Sequence, residues 1–118
     1  MQTSQVEPRI LNSFFMRVAF KMKLFPGQAD EYKRRHDELW PDLKQLLKSA
    51  GIEDYIIFLD ETNNDLVGVY KVSDPQKQKE LAHHAVMKKW WAYMNDIMDT
   101  NPDNSPVVVS LKEVFYME

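Results

Sequence analysis

Three observations predict an α+β fold in the order β-α-β-β-α-β. Apolar positions alternate at period two from Arg17 to Leu24, and two further β-rich runs, Ile52 to Asp60 and Asp65 to Val72, flank a polar turn. Helical spacing governs Ala29 to Ala50 and a later stretch that precedes a closing β-rich segment. Right-handed crossovers then put the first and third strands at the centre of an antiparallel four-stranded sheet with the helices on one face, the ferredoxin-like arrangement.

Each element has its own signal. In the first strand Val18, Phe20, Met22 and Leu24 share a face, and Pro26-Gly27 ends it. Tyr32, His36, Leu39, Leu43, Leu46, Leu47 and Ala50 then recur at helical spacing until Gly51 supplies the stop. Pro41 lies inside that run and disfavours helix at Trp40, which predicts two helical segments joined beside His36. Glu61-Thr62-Asn63-Asn64 makes the following pair of strands a hairpin. Both of its faces are apolar, with Ile56 and Phe58 on one side and Tyr55, Ile57 and Leu59 on the other. Ser73-Asp74-Pro75 reads as a cap with proline in the first turn, opening a helical region through Trp90 and Trp91 to about Met98. The loop Asn101 to Pro106 follows, and Val107 to Tyr116 is expected as the last strand.

A single helical layer covers one sheet face, so the second apolar face predicts a homodimer with the two sheets facing each other. The chain's 118 residues bound it to one domain, expected over residues 15–118. Residues 1–12 carry no hydrophobic period, and residues 1–14 are expected as a loosely ordered extension.

Composition narrows the function. Acidic residues outnumber basic ones by 18 to 15, a balance that argues against nucleic acid or an anionic membrane as partner. Apolar runs are too short to span a bilayer, and the N-terminal stretch lacks the plan of a secretory signal. With no cysteine, thiolate nucleophiles, Fe–S clusters and Cys-based zinc sites are excluded, and a cytoplasmic location is expected. His83-His84 have no partner at a recognised zinc spacing, and the three glycines form no phosphate loop, so neither a metal nor a nucleotide is expected.

The candidate chemistry lies on aromatic and imidazole side chains. Tyr32 and His36 are four residues apart on the helix face that carries Leu39 and Leu43 toward the sheet. An inward histidine is either a core residue satisfied by a backbone carbonyl or a titrating group at a site. The charges around it, including a Glu31–Arg35 pair at i,i+4, read as a solvated face. Trp90 and Trp91 project about 100° apart on a helix, so a narrow apolar stripe cannot hold both centrally. One fills the core while the other seals an edge, or the pair forms a platform for the C–H face of a sugar, with Tyr55 adding a hydroxyl from the sheet.

The runs EYKRRHDELWPDL at 31–43, KKWWAYMNDIM at 88–98, NPDNSPV at 101–107 and LKEVFY at 111–116 resemble the L-rhamnose mutarotase family. The resemblance spans about residues 15–118 and implies a dimeric α+β barrel that interconverts the α and β anomers of L-rhamnose in the cytoplasm without a cofactor. It also implies that His36 is the proton donor and that Tyr32, Tyr55, Trp90 and Trp91 contact the sugar. Alternatives are a mutarotase of a related 6-deoxyhexose, a non-catalytic sugar-binding module, and the haem-degrading or quinone-forming oxygenases that also use such barrels.

Overall fold

The computed structural model describes residues 15–118, and the expected loose extension at residues 1–14 lies outside them. The chain runs β1 (Met16–Lys23), α1 (Ala29–Asp37), α2 (Pro41–Ser49), β2 (Ile52–Asp60), β3 (Asp65–Val72), α3 (Pro75–Glu80), a 3-10 turn (Leu81–His83), α4 (Ala85–Met94) and β4 (Val109–Ser110). All strand pairs are antiparallel and the order is β2-β3-β1-β4, so the first and third strands are central, as expected.

Register separates the two sheet faces. Phe20 lies opposite Gly68 and Met22 opposite Leu66, and with Leu24, Tyr70 and Val72 they form the buried face under the helices. Gly68 is required there because a Cβ would overlap the Phe20 ring. Leu43 of α2 and Trp90 and Met94 of α4 complete this core from the helical side. Along the opposite face Ile56 faces Val69 and Phe58 faces Val67. Ile56 is 48% exposed and Phe58 58%.

The helix break at Pro41 is as read from the sequence. Trp40 adopts extended backbone (φ −59°, ψ 131°), the conformation proline imposes on its predecessor, and Pro41 opens α2. The hairpin turn is stapled by Asp60, whose Oδ1 accepts from the Thr62 amide, while Asn64 takes φ 64°. Asp74 caps α3 by accepting from the amides of Gln76 and Lys77.

Two elements differ from expectation. The helical region expected from Pro75 to about Met98 is interrupted at His84, whose extended backbone (φ −79°, ψ 138°) caps α4, and it ends at Met94. Beyond it, the Phe25 amide donates to the Ile97 carbonyl (2.9 Å) and the Asp99 amide to the Lys23 carbonyl (2.9 Å), so this segment is held by β1 rather than by a further helical turn. The last strand, expected over Val107 to Tyr116, is confined to Val109–Ser110. Its start is delayed because Val107 donates to the Asp99 carbonyl and Pro106 bridges Thr100. After Leu111, whose amide reaches the Ala19 carbonyl, the chain leaves β1 with Val114, Phe115 and Met117 exposed.

Candidate functional site

Between the buried sheet face, α1, α4 and the 101–106 loop lies an open-mouthed cavity with about 430 Å³ of empty space. All five residues singled out from the sequence line it: Tyr32, His36, Tyr55, Trp90 and Trp91. A few polar groups converge on a largely apolar wall, the lining typical of small-molecule sites.

His36 is fixed through its own helix. Its Nδ1 lies 3.0 Å from the Tyr32 carbonyl oxygen. A carbonyl only accepts, so Nδ1 carries the proton and the neutral ring leaves Nε2 as the basic nitrogen. The Tyr32 ring stacks on the imidazole at 4.3 Å, and Trp90 meets it edge to face at 5.3 Å and 90°. One nitrogen thus satisfies a backbone carbonyl, as in the core alternative, while the ring also lines the cavity. Burial pushes the imidazole pKa below its ordinary value, against the opposing pull of the Tyr32 carbonyl and the Asp37 charge.

Tyr55 reaches the site through an irregularity in β2. Glu53 pairs with Lys71 and Ile56 with Val69, so Asp54 and Tyr55 together oppose Tyr70 alone. Asp54 absorbs the extra residue with φ 50°, and its carboxylate pairs with Lys71 at 3.0 Å. Strict alternation from the buried Ile52 would send Tyr55 to the outer face; the bulge reverses the phase and brings it inward. Its ring then packs against Tyr70 at 5.1 Å and Phe20 at 6.3 Å. Tyr55 is 42% exposed as a residue, yet its phenol is buried, and that burial raises its pKa with help from Tyr32 and Tyr70. Burial likewise raises the pKa of Tyr32. Both phenols keep their protons at neutral pH and are hydrogen-bond donors.

The tryptophans divide the work between them. Trp90 is buried and braced by Trp40 (5.1 Å, edge to face) and Tyr93 (5.6 Å), while the half-buried Trp91 forms another part of the wall. The bracing continues to Arg35, whose guanidinium lies 4.4 Å from the Tyr93 ring centroid. Arg35 is a correction to the solvated-face reading, being only 8% exposed. The expected Glu31 pair forms at 2.7 Å, but Arg35 also donates to the Tyr93 carbonyl (2.7 Å) and to Asp96 (2.9 Å), which lie beyond the reach of helical periodicity.

The remaining wall was not anticipated as site. Met22, Met87, Met94 and Met98 give it an apolar lining, and Thr100, Asn104 and Pro106 bring in the loop after α4. Apart from its place in the family resemblance, the loop's Asn-Pro-Asp-Asn-Ser-Pro punctuation predicts a turn and says nothing of what the turn faces. His83 and His84 are exposed, and no group of three metal-ligating side chains occurs among the described residues. No helix among the described residues is long and apolar enough to cross a membrane.

Comparison with known proteins places the chain in a family. The model of the L-rhamnose mutarotase family matches residues 17–117. An L-rhamnose mutarotase from Formosa agariphila is 57% identical over 102 residues, covering 86% of this chain and 98% of that one. One from Lachnoclostridium phytofermentans is 53% identical over 103 residues, covering 87% and 99%. A crystal structure of an L-rhamnose mutarotase from Formosa agariphila superposes with a TM-score of 0.82 at 56% identity, over 87% of this chain and 99% of that one.

Proposed function

The chain belongs to the L-rhamnose mutarotase family, and from that premise we propose that His36 carries the proton transfers by which it interconverts the α and β anomers of L-rhamnose. The observation that supports this role is the Nδ1 bond to the Tyr32 carbonyl, which leaves Nε2 basic on a ring lining the cavity. Neutral His36 takes the proton of the C1 hydroxyl as the bond from C1 to the ring oxygen breaks, and the imidazolium then gives a proton to that oxygen. The product is the open-chain aldehyde. Rotation about C1–C2 and the reverse transfers close the ring as the other anomer. Both oxygens sit on C1, so one imidazole serves both steps, and positioned proton transfer of this kind is worth roughly 100- to 10,000-fold. Tyr32 and Tyr55 donate to sugar hydroxyls, and the indoles of Trp90 and Trp91 hold its C–H surface.

The outer sheet face bears on assembly. Ile56, Phe58 and Val109 expose large side chains there, flanked by the half-buried Val67 and Val69. We assign that face to a second copy of the chain, sheet against sheet, and the reaction to the cytoplasm.

Saturation-transfer NMR on the C1 protons of L-rhamnose tests the mechanism. The purified protein should accelerate exchange with no metal or nucleotide added, and equally with a chelator present. His36→Asn should slow exchange by roughly 100-fold or more with little change in KM. Binding without acceleration by the wild-type protein would favour a non-catalytic module, and near-normal exchange in His36→Asn would put the proton donor elsewhere.

A further inference from the structure

We propose that Asn104 is a specificity-determining residue of this site, donating a side-chain amide N–H to one of the sugar's ring hydroxyls at C2, C3 or C4. The inference rests on the mutarotase reading above. In that reading His36 serves the C1 hydroxyl and the ring oxygen and the two tyrosines donate to sugar hydroxyls, which leaves at least one of the hydroxyls at C2, C3 and C4 in need of a partner once the sugar leaves water. A buried hydroxyl without one costs binding free energy. Asn104 lines the same cavity as His36 and the two tyrosines, on its loop side.

The loop presents this carboxamide in a fixed pose. Asn104 sits in the left-handed region at φ 72°, which asparagine tolerates better than other side-chain-bearing residues, and its amide donates to the Asn101 carbonyl at 2.9 Å. Asn101 in turn reaches across the turn, its Nδ2 lying 3.1 Å from Ser105 Oγ and 3.2 Å from the Pro106 carbonyl oxygen. The Ser105 amide donates to Asp103 at 3.0 Å. Asn95, just past α4, fixes the side chain itself by donating from Nδ2 to Asn104 Oδ1 at 2.8 Å. The acceptor end of the Asn104 carboxamide is therefore engaged, while its Nδ2 has no hydrogen-bond partner among the described residues. A planar group pinned at its oxygen cannot swing its nitrogen away, so the donor is ordered before the sugar arrives.

The test uses the full-length protein, C1-proton exchange, and a panel of L-rhamnose with its 2-, 3- and 4-deoxy analogues. Asn104→Gly removes the carboxamide while leaving a residue that takes positive φ without strain. It should raise KM for L-rhamnose roughly 3- to 10-fold, the worth of one hydrogen bond, with a smaller effect on kcat. That penalty should vanish for the one deoxy sugar that lacks the partner hydroxyl and persist for the other two. Asn95→Ala keeps the donor but unpins it, and should show a smaller penalty with the same deoxy-sugar signature. Equal KM values for wild type and Asn104→Gly on L-rhamnose would overturn the proposal, as would a penalty identical across all three deoxy sugars, since a merely structural loop residue gives that pattern. Absence of exchange on L-rhamnose in the wild-type protein would instead overturn the mutarotase reading beneath it.

Discussion

His36 is held on two sides by aromatic rings and on its Nδ1 by a carbonyl, and burial places its pKa below the ordinary value of 6.5. The neutral ring is therefore the resting form at neutral pH. If it is the base that opens the sugar, exchange should stay level across neutral pH and fall only as pH drops through the depressed pKa. The same shift has a sign in stability: between the two pKa values the unfolded chain binds more protons than the folded one, so stability is lost as pH falls from 6.5 through the folded value. Rate and thermal unfolding measured from neutral to acidic pH check both limbs, and His36→Asn should remove this residue's share of each. A rate that declines instead as pH rises through 7 would contradict the assignment. At this scale the sequence was informative where chemistry is local: Tyr32 and His36 share a helix face by spacing alone, and the Trp pair announces itself by being too wide for one stripe. Arg35 was misread for the opposite reason, because Asp96 and Tyr93 reach it only through the fold.

Arg35 ties the helix that bears His36 to the end of the helix that bears the tryptophans. Its guanidinium bonds Glu31 on its own helix and Asp96 and the Tyr93 carbonyl across the gap, and it lies over the face of Tyr93, whose other neighbours are Trp40 and Trp90. The Glu31 carboxyl responds to Arg34 and Arg35 with a pKa held down to about 2. Arg35→Met keeps the stem and removes the donors, leaving the Tyr93 carbonyl without its partner. The expected cost is about 1 to 3 kcal/mol. That corresponds to a fall in Tm on the order of 10 °C for a chain of this size, measured by thermal unfolding. An unchanged Tm would mean that the two carboxylates and the carbonyl are equally well served by water. Element boundaries set by proline, glycine and asparagine were legible in advance, as at Trp40-Pro41 and the hairpin turn. The bulge at Asp54 was not, since nothing in the run Ile52 to Leu59 marks an extra residue. The last strand reads too long from sequence because Val107 to Tyr116 has strand composition throughout, while its pairing with β1 stops at Leu111 although β1 itself continues to Met16.

For the whole molecule, the outer sheet face governs assembly. Phe58 is 58% exposed, Val109 54% and Ile56 48%, on strands whose other face is the core. Beyond β4, Val114 at 88% and Phe115 at 77% extend the apolar surface past the sheet edge. Exposed apolar side chains of this kind are an aggregation hazard unless covered, and a self-associating sheet face covers them with a single two-fold contact. Specific interfaces bury roughly 800 Å² per partner, an area within reach of a four-stranded sheet face and its trailing segment. Light scattering at micromolar concentration should thus give the mass of two chains, and removal of residues 1–12 should leave it unchanged. Phe58→Glu sets a charge in that contact and should shift the mass toward one chain. The cavity opens on the other face of the sheet, so the Phe58→Glu protein also separates assembly from chemistry. Exchange that survives in the monomer would make pairing a matter of solubility and stability. Exchange lost with the partner, in a chain that remains folded, would mean that pairing holds β2 and its inward Tyr55 in place. A single-chain mass for the unaltered protein would end the facing-sheet arrangement and leave the outer face to some other cover.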